Sequence, residues 1–464
     1  MIAALATLAF ELVPIRPPAV PLVVHSPYVS AWSMSDKLTD RWPQHWSGGN
    51  NAMLGMVRVD GKPYRFMGPQ PWGIADVPAL EQTSVQVTAT RSVYTFEGAG
   101  IRLEVEFCSP LLSDDLELLA RPVTYVTLRS SATDGKEHRV EAYLDWSGEW
   151  VVEDASKPVE ASRYRLGGRD VLSLKASGAR PLARSGDRVR IDWGSLYVAA
   201  PGEGSIAGHH VSRGSFVEGK PLAGDDMRFP RPASDDWPVI GFRFPLQGAA
   251  TVAIGFDEGF AVEYLRRPLR PYWNRQEIGF GAMFSRALAE AESVRARAAA
   301  FDEKLHRMME AAGGPEYAAL GHLAYRQCLA GHGLAQDIDG DLLMFSKENT
   351  SNGCIATVDV TFPASPFFLL LNPDLLKAQL RPILEYASSP RWRFPFAPHD
   401  LGTYPLANGQ VYGGGETDER DQMPVEESAN MLLMIAALAR TDGNADFARP
   451  FAPVLAKWAG YLRE

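Results

Sequence analysis

Cysteine is scarce: three occur in 464 residues, Cys108, Cys328 and Cys354, and no two are close in sequence. So sparse and odd a set makes neither a disulfide framework nor a zinc-finger pattern. The nine histidines include no H-E-x-x-H. No metal ion or other cofactor is therefore expected. There is no G-x-S-x-G elbow, no S-x-x-K and no G-x-x-x-x-G-K-[ST] loop, which leaves esterase, Ser-Lys amidase and phosphate-loop chemistry without support. No apolar run approaches the ~20 residues that span a bilayer. The net charge of −10 comes without a long run of one sign. Clustered Lys and Arg would attract nucleic acid or an anionic membrane, so neither is an expected partner.

What is present points to a multidomain soluble protein, since the length suggests two or three domains at ~150 residues each. Residues 2–10 (IAALATLAF) are apolar but short, and Pro14, Pro17, Pro18 and Pro21 follow. Residues 1–20 are expected to be a signal-peptide remnant or linker, which implies a secreted or periplasmic location. Residues 21–270 read as an antiparallel β-sandwich. Ile101–Phe107 alternates apolar and charged residues with the period of a half-buried strand. Asp60-Gly61 and Asp134-Gly135 are favoured hairpin turns, and His209-His210 reads as a surface loop.

The period then changes from two to 3.6. Residues 271–314 form a linker helix that stops at Gly313-Gly314-Pro315, and residues 315–464 continue as helices. Asp337-Ile-Asp-Gly-Asp341 looks like the start of a calcium loop, with Glu348 at its twelfth position. Its sixth position, Leu342, is not the glycine such a loop needs, so a plain hairpin or turn is expected. Further helices are expected at about 373–386, 424–440 and 445–463. The segments between them are long and polar, and such connections are usually functional.

Those connections hold the candidate chemistry. Asp359, Asp400 and Glu426 are the candidate catalytic carboxylates, expected to line one pocket at the mouth of the helical domain. His399, Asn349, Asn352, Trp392, Tyr404, Glu427 and Asn430 are the candidate substrate-binding residues. Acids mixed with amides and aromatics suit a polar, neutral small molecule or glycan bearing hydroxyl or amide groups. Consecutive helical residues point ~100° apart, so only one of Glu426 and Glu427 can face the pocket. Glu426 is expected to do so, with Glu427 a structural partner for an Arg or a backbone amide.

Three strings, FSKENTSNGCIATVDVTFPASPFFLLLNP (345–373), FAPHDLGTYPLANGQVYG (396–413) and MPVEESANML (423–432), resemble the glutaminase A family of fungi and bacteria. SPYVSAW (26–32), DRWPQHWSGG (40–49) and MVRVDGKPYRFMG (56–68) are similar to that family's opening segment. The resemblance implies a β-sandwich followed by an (α/α)6 toroid of the six-hairpin glycosidase type, here incomplete. It also implies extracellular hydrolysis of L-glutamine to glutamate and ammonia. A glycoside hydrolase with a glucoamylase-like carboxylate pair is the alternative, since Glu426-Glu427 is similar to the Trp-Glu-Glu of glucoamylases with Val425 in place of Trp. By the same analogy Asp359 would hold a substrate hydroxyl. A non-catalytic carbohydrate-binding protein is the third reading.

Ser428-Ala429 stand where the family usually has Cys-Gly, and the family continues with helices beyond the position of Glu464. The ring is therefore expected to be partial, with an apolar open edge at Leu432, Ile435, Leu438 and residues 451–462. Such a domain would be marginally stable, and inactive if a second catalytic carboxylate lies further on.

Overall fold

The computed structural model describes residue 10 and residues 12–464, so most of the apolar leader stretch lies outside the described residues. Two large antiparallel sheets make up the first half. One has five strands, with Val140–Ser147 at its centre between Met53–Val59 and Pro238–Pro245. The other has nine strands and runs from Arg231–Pro232 at one edge to Glu81–Val87 at the other. Alternation explains the pairing: Ile101, Leu103, Val105 and Phe107 point inward from Ile101–Cys108, while Arg102 faces water. That strand pairs in register with Val123–Ala132. The sheets meet through apolar faces, as where the rings of Phe66 and Phe96 lie 6.0 Å apart.

Asp60-Gly61 forms the tight hairpin turn expected, with both residues at positive φ. Asp134-Gly135 does not. It lies between Val123–Ala132 and Val140–Ser147, strands that belong to different sheets. Two short helices also interrupt the strands, α1 (Leu116–Ala120) and α2 (His209–Val217). The surface loop expected at His209-His210 is the start of α2, and His209 is buried.

The second half opens with α3 (Phe280–Ala330), which kinks at Gly314, where φ is +85°. Its first part lies on the nine-stranded sheet. Phe280 stacks on Tyr197 at 4.2 Å, and Tyr125 donates to the carbonyl of Ala287 at 2.9 Å. Asp302, fully buried on the same helix, accepts from Thr90 N (2.9 Å) and Arg91 Nε (2.8 Å). A buried charge is tolerated only when paired and hydrogen-bonded in this way. Beyond the kink come a hairpin (His332–Gln336 with Leu342–Ser346), then α4 (Val358–Leu371), α5 (Pro373–Ser388), α6 (Pro424–Asp442) and α7 (Ala452–Tyr461). Asp337–Asp341 is the turn of that hairpin.

α4 was not anticipated, because Pro363 and Pro366 lie inside it and proline removes a helical donor. It buries Val358, Thr361, Ser365 and Phe368 at helical spacing. The apolar edge expected on α6 and α7 is absent. Ile435, Leu438, Phe451, Val454 and Trp458 are all buried, because α5 packs against both helices. Leu432 is half-buried, and the large apolar side chains exposed from α3 onward are Met308, Tyr317, Leu320, Ile338, Leu370, Val411, Val425 and Leu433.

Candidate active site

Two helix starts and one loop build the site. Asp359 lies in the first turn of α4 and Glu427 in the first turn of α6. The loop from Phe396 to Leu401 runs between them. Val358 N donates to the carbonyl of His399 at 2.9 Å, and Ala397 N donates to Ser428 Oγ at 2.9 Å. The loop is therefore stitched to both helices, and its side chains are held rather than free.

Asp400 is fully buried and fully used. Its Oδ1 accepts from Gly402 N (2.7 Å) and Val411 N (3.0 Å), and its Oδ2 accepts from Tyr412 N (3.1 Å). The same Oδ2 lies 3.0 Å from His399 Nδ1. A carboxylate only accepts, so Nδ1 is the nitrogen that donates to it, and in a neutral imidazole Nε2 is then the acceptor. Nε2 faces Asp359, whose Oδ2 is 3.9 Å away. Tyr412 stacks on the imidazole with centroids 4.0 Å apart, and Gln410 Oε1 accepts from His399 N. Ring plane, tautomer and position of His399 are thus all fixed.

Glu427 completes the group. Donor atoms of Asp359, His399 and Glu427 lie within 4.8 Å of one another. Neither carboxyl oxygen of Glu427 has a partner at hydrogen-bonding geometry, and Asp359 Oδ1 has none either. Buried polar atoms are nearly always paired, so three orphans around one point mark a place for another molecule. Burial pushes the Glu427 carboxyl up to about 9, helped by the charges of Asp359 and Glu426, while the Asn430 amide pulls weakly the other way. At neutral pH Glu427 therefore holds its proton.

Cys354 also borders His399 and Asp400. Burial and the neighbouring Asp400 and Glu348 push its thiol well up, so it is not a thiolate nucleophile. Asp359, His399 and Glu427 are donors of a kind that could hold a divalent cation. Asp400 could not join them, since its oxygens are already occupied.

The structure brings Asp359, His399 and Asp400 together, with Asn430 beside Glu427. Glu426 is the correction: it is exposed, and Glu427 faces the site instead. The buried stripe of α6 runs Glu427, Met431, Met434 and Leu438, and Glu426 falls ~100° outside it. Glu427 is accordingly no partner for an Arg. Trp392 is in an aromatic cluster with Tyr386, Phe394 and Phe396, its Nε1 donating to the carbonyl of Phe396. Tyr404 is buried against Tyr28. Asn349 and Asn352 are exposed on the loop after Ser346, where Asn352 Oδ1 accepts from Cys354 N. Glutamine substituted for Glu426 is expected to leave turnover within about twofold, as for an ordinary surface change. A steady-state assay of Glu426→Gln checks this.

Glu348, Cys354, Gln410 and Tyr412 also belong to the site; they lie in the strings 345–373 and 396–413 that stand out in the sequence. Glu348 Oε2 accepts from Thr357 Oγ1 at 3.3 Å, just ahead of Asp359. The loop carrying it is clasped from the β half. Asp187 Oδ1 accepts from Thr350 N at 2.8 Å, and the Asp187 carbonyl accepts from Lys347 Nζ at 2.6 Å. Removing the Asp187 carboxylate should loosen this loop without touching the reacting groups. Asp187→Ala is expected to raise KM about two- to tenfold, the worth of one hydrogen bond, with kcat retained. A fall in kcat with unchanged KM would contradict that role.

Residues 314–464 match the six helical-hairpin domain of glutaminase A, and residues 7–77 and 90–308 match two domains described only as of unknown function. The chain is 33% identical to Glutaminase A of Aspergillus oryzae, over 97% of this chain and 67% of that protein. It is 25% identical to a probable glutaminase of Arthroderma benhamiae, over 90% of this chain and 52% of that protein. The chain therefore spans about two thirds of the first relative and about half of the second.

Proposed function

The chain belongs to the glutaminase A family, and on that footing we propose that it is an amidohydrolase that splits the side-chain amide of glutamine into a carboxylate and ammonia. One observation carries this reading. A carboxyl oxygen of Asp359, one of Glu427 and a ring nitrogen of the Asp400-braced His399 lie within 4.8 Å of one another, and three oxygens of the two carboxyls have no hydrogen-bond partner.

Burial raises the Glu427 carboxyl, and an acid raised in this way is suited to give up a proton in the reaction. Water enters between His399 Nε2 and Asp359 Oδ1, at the partly exposed side of the site. Its oxygen bonds to the amide carbon as its proton passes to Nε2. Asp359 holds the water and stabilises the imidazolium, and Asp400 keeps the ring oriented. The carbon–nitrogen bond then breaks as the Glu427 proton goes to the departing nitrogen, releasing ammonia. His399 returns its proton to Glu427, which restores both groups.

One carboxyl oxygen of Asp359 lies within 4.8 Å of one of Glu427, closer than the ~6.5–9.5 Å of an inverting glycosidase pair but near the ~5–5.5 Å of a retaining one, so the spacing weighs only against the inverting form of the glycosidase alternative. The same reading takes the helices after Gly314 as part of an α/α ring of hairpins, residues 21–270 as the β-sandwich and 271–314 as the linker. It also places the protein outside the cytoplasm or in the periplasm. Among the described residues, no helix is long and apolar enough to cross a membrane.

Ammonia release from glutamine side chains, measured beside a panel of aryl glycosides, tests the reading. Ammonia release that chelators leave unchanged and that Glu427→Gln lowers by about 10²–10⁴-fold would support it. Glycoside turnover without ammonia would overturn it.

A further inference from the structure

The loop that carries His399 and Asp400 takes its register from residues 353–355. Ile355 N donates to the carbonyl of Gly402 at 2.9 Å, Leu401 N to the carbonyl of Ile355 at 3.0 Å, and Tyr404 N to the carbonyl of Gly353 at 2.9 Å. Ile355 also pairs with Lys347 in an antiparallel bridge, and Ala356 N donates to the carbonyl of Ser346 at 3.0 Å. From there the Lys347 side chain reaches into the β half, to the loop between Arg169–Ala176 and Ser195–Ala199. Its Nζ donates to the carbonyls of Asp187 (2.6 Å) and Glu348 (3.2 Å) and lies 4.7 Å from the centre of the Trp46 ring. Gly353 closes the same contact. Its φ is +76°, and a Cβ there would stand 2.5 Å from Asp187 N. Main chain of the β half thus abuts the segment on which the Asp400 loop is registered.

Lys347 is buried, and an ammonium out of water costs free energy that an apolar chain of the same length would not. Burial draws it down to about 8, while Asp187, Glu348 and Cys354 hold it up, so it keeps its charge at neutrality. Two carbonyls and an aromatic face offset part of that cost and fix the ammonium at one point. The mechanism above uses none of this. Resting on the amidohydrolase reading, we propose that Lys347 is a positioning residue for the reaction. Anchored on Asp187 and Trp46, it holds Ile355 in place, and through Ile355 the His399–Asp400 pair. It touches no reacting atom. The β half is then part of the catalytic unit. Asp187→Ala leaves the Asp187 carbonyl where it is and does not release Lys347, so the two substitutions act on different parts of the clasp.

Lys347→Met keeps the length and removes the charge. Two readouts are taken: kcat and KM for ammonia release from glutamine, and hydrogen exchange of the Gly402, Val411 and Tyr412 amides that donate to Asp400. The expected fall in kcat is at least about tenfold and exceeds any rise in KM, since a small misplacement of reacting groups is costly. The three amides should exchange at least about tenfold faster, while those of Leu103 and Val105 in the nine-stranded sheet keep their rates. Retained kcat, an effect carried by KM alone, or unchanged exchange at the three amides would overturn the proposal. Exchange that quickens equally in both halves would overturn it too, since a mere fastener between domains gives that result. If the unsubstituted chain releases no ammonia, the amidohydrolase reading fails by itself. The exchange pattern then still decides whether Lys347 places Asp400. Should Lys347→Met not fold, Trp46→Leu removes only the aromatic face and should quicken the same three amides by a smaller factor, and a uniform change would overturn the proposal.

Discussion

Glu427→Gln is expected to cut ammonia release by about 10²–10⁴-fold, the usual worth of a general acid, while making the folded chain more stable at neutral pH. The two effects have one cause. The folded pKa of Glu427, about 9, lies above the ordinary value of 4.5. A carboxyl raised on folding favours the folded state fully only while both states hold the proton, below about pH 4.5. Stability is then lost as pH rises toward 9 and levels off above it. At pH 7 the loss is on the order of 3 kcal/mol, at ~1.4 kcal/mol per pH unit above 4.5. Glutamine keeps the shape and is neutral at every pH, so the loss disappears. Chemical denaturation of both proteins at pH 4.5 and pH 8 measures it, and the variant's advantage should grow with pH. An advantage that shrinks with pH, or turnover that survives, would contradict the assignment.

Asp400→Asn should be nearly as damaging to turnover and should also weaken the fold. Three backbone N–H groups and His399 Nδ1 converge on its two oxygens. An amide presents its own N–H₂ to two of those donors, leaving them unsatisfied in a fully buried place, at about 1–3 kcal/mol each. It also favours the other imidazole tautomer, which moves the proton onto Nε2 and removes the base. A loss of kcat of up to about 10⁴ follows by the logic of an orienting carboxylate behind a histidine. Kinetics with thermal denaturation of Asp400→Asn checks both parts. A stable, active variant would show that His399 is not the base.

The strands were readable because their signal is local. Ile101–Phe107 alternates, and one face of it is buried, so sequence and packing agree. The same holds for the switch to helices, announced by period and by Gly313-Gly314-Pro315. α4 was hidden because proline normally excludes a helix interior, yet its two prolines fall where packing against α5 and α6 overrides propensity. At the site, residue types pointed to Asp359, His399 and Asp400, since acids and a histidine stood out in polar connections. The choice between Glu426 and Glu427 rested on which neighbours share a helical face. Asn430 lies three residues from Glu427 and four from Glu426, so it fits either choice. Met431, Met434 and Leu438 share the face of Glu427, and that longer stripe should have outweighed Met423 and Asn430. The roles of Glu348 and Cys354 at the site and the clasp from Asp187 were not legible, because they arise through tertiary contacts.

The pH dependence of kcat/KM for ammonia release tests the central claim most directly, because that ratio reports the ionisation of the free enzyme's acid. With Glu427 as the proton donor, activity should persist through neutrality and fall along an alkaline limb near pH 9. The residual activity of Glu427→Gln should lack that limb. A rate that already declines through the ordinary carboxylate range, or an alkaline limb that the variant keeps, would contradict the account.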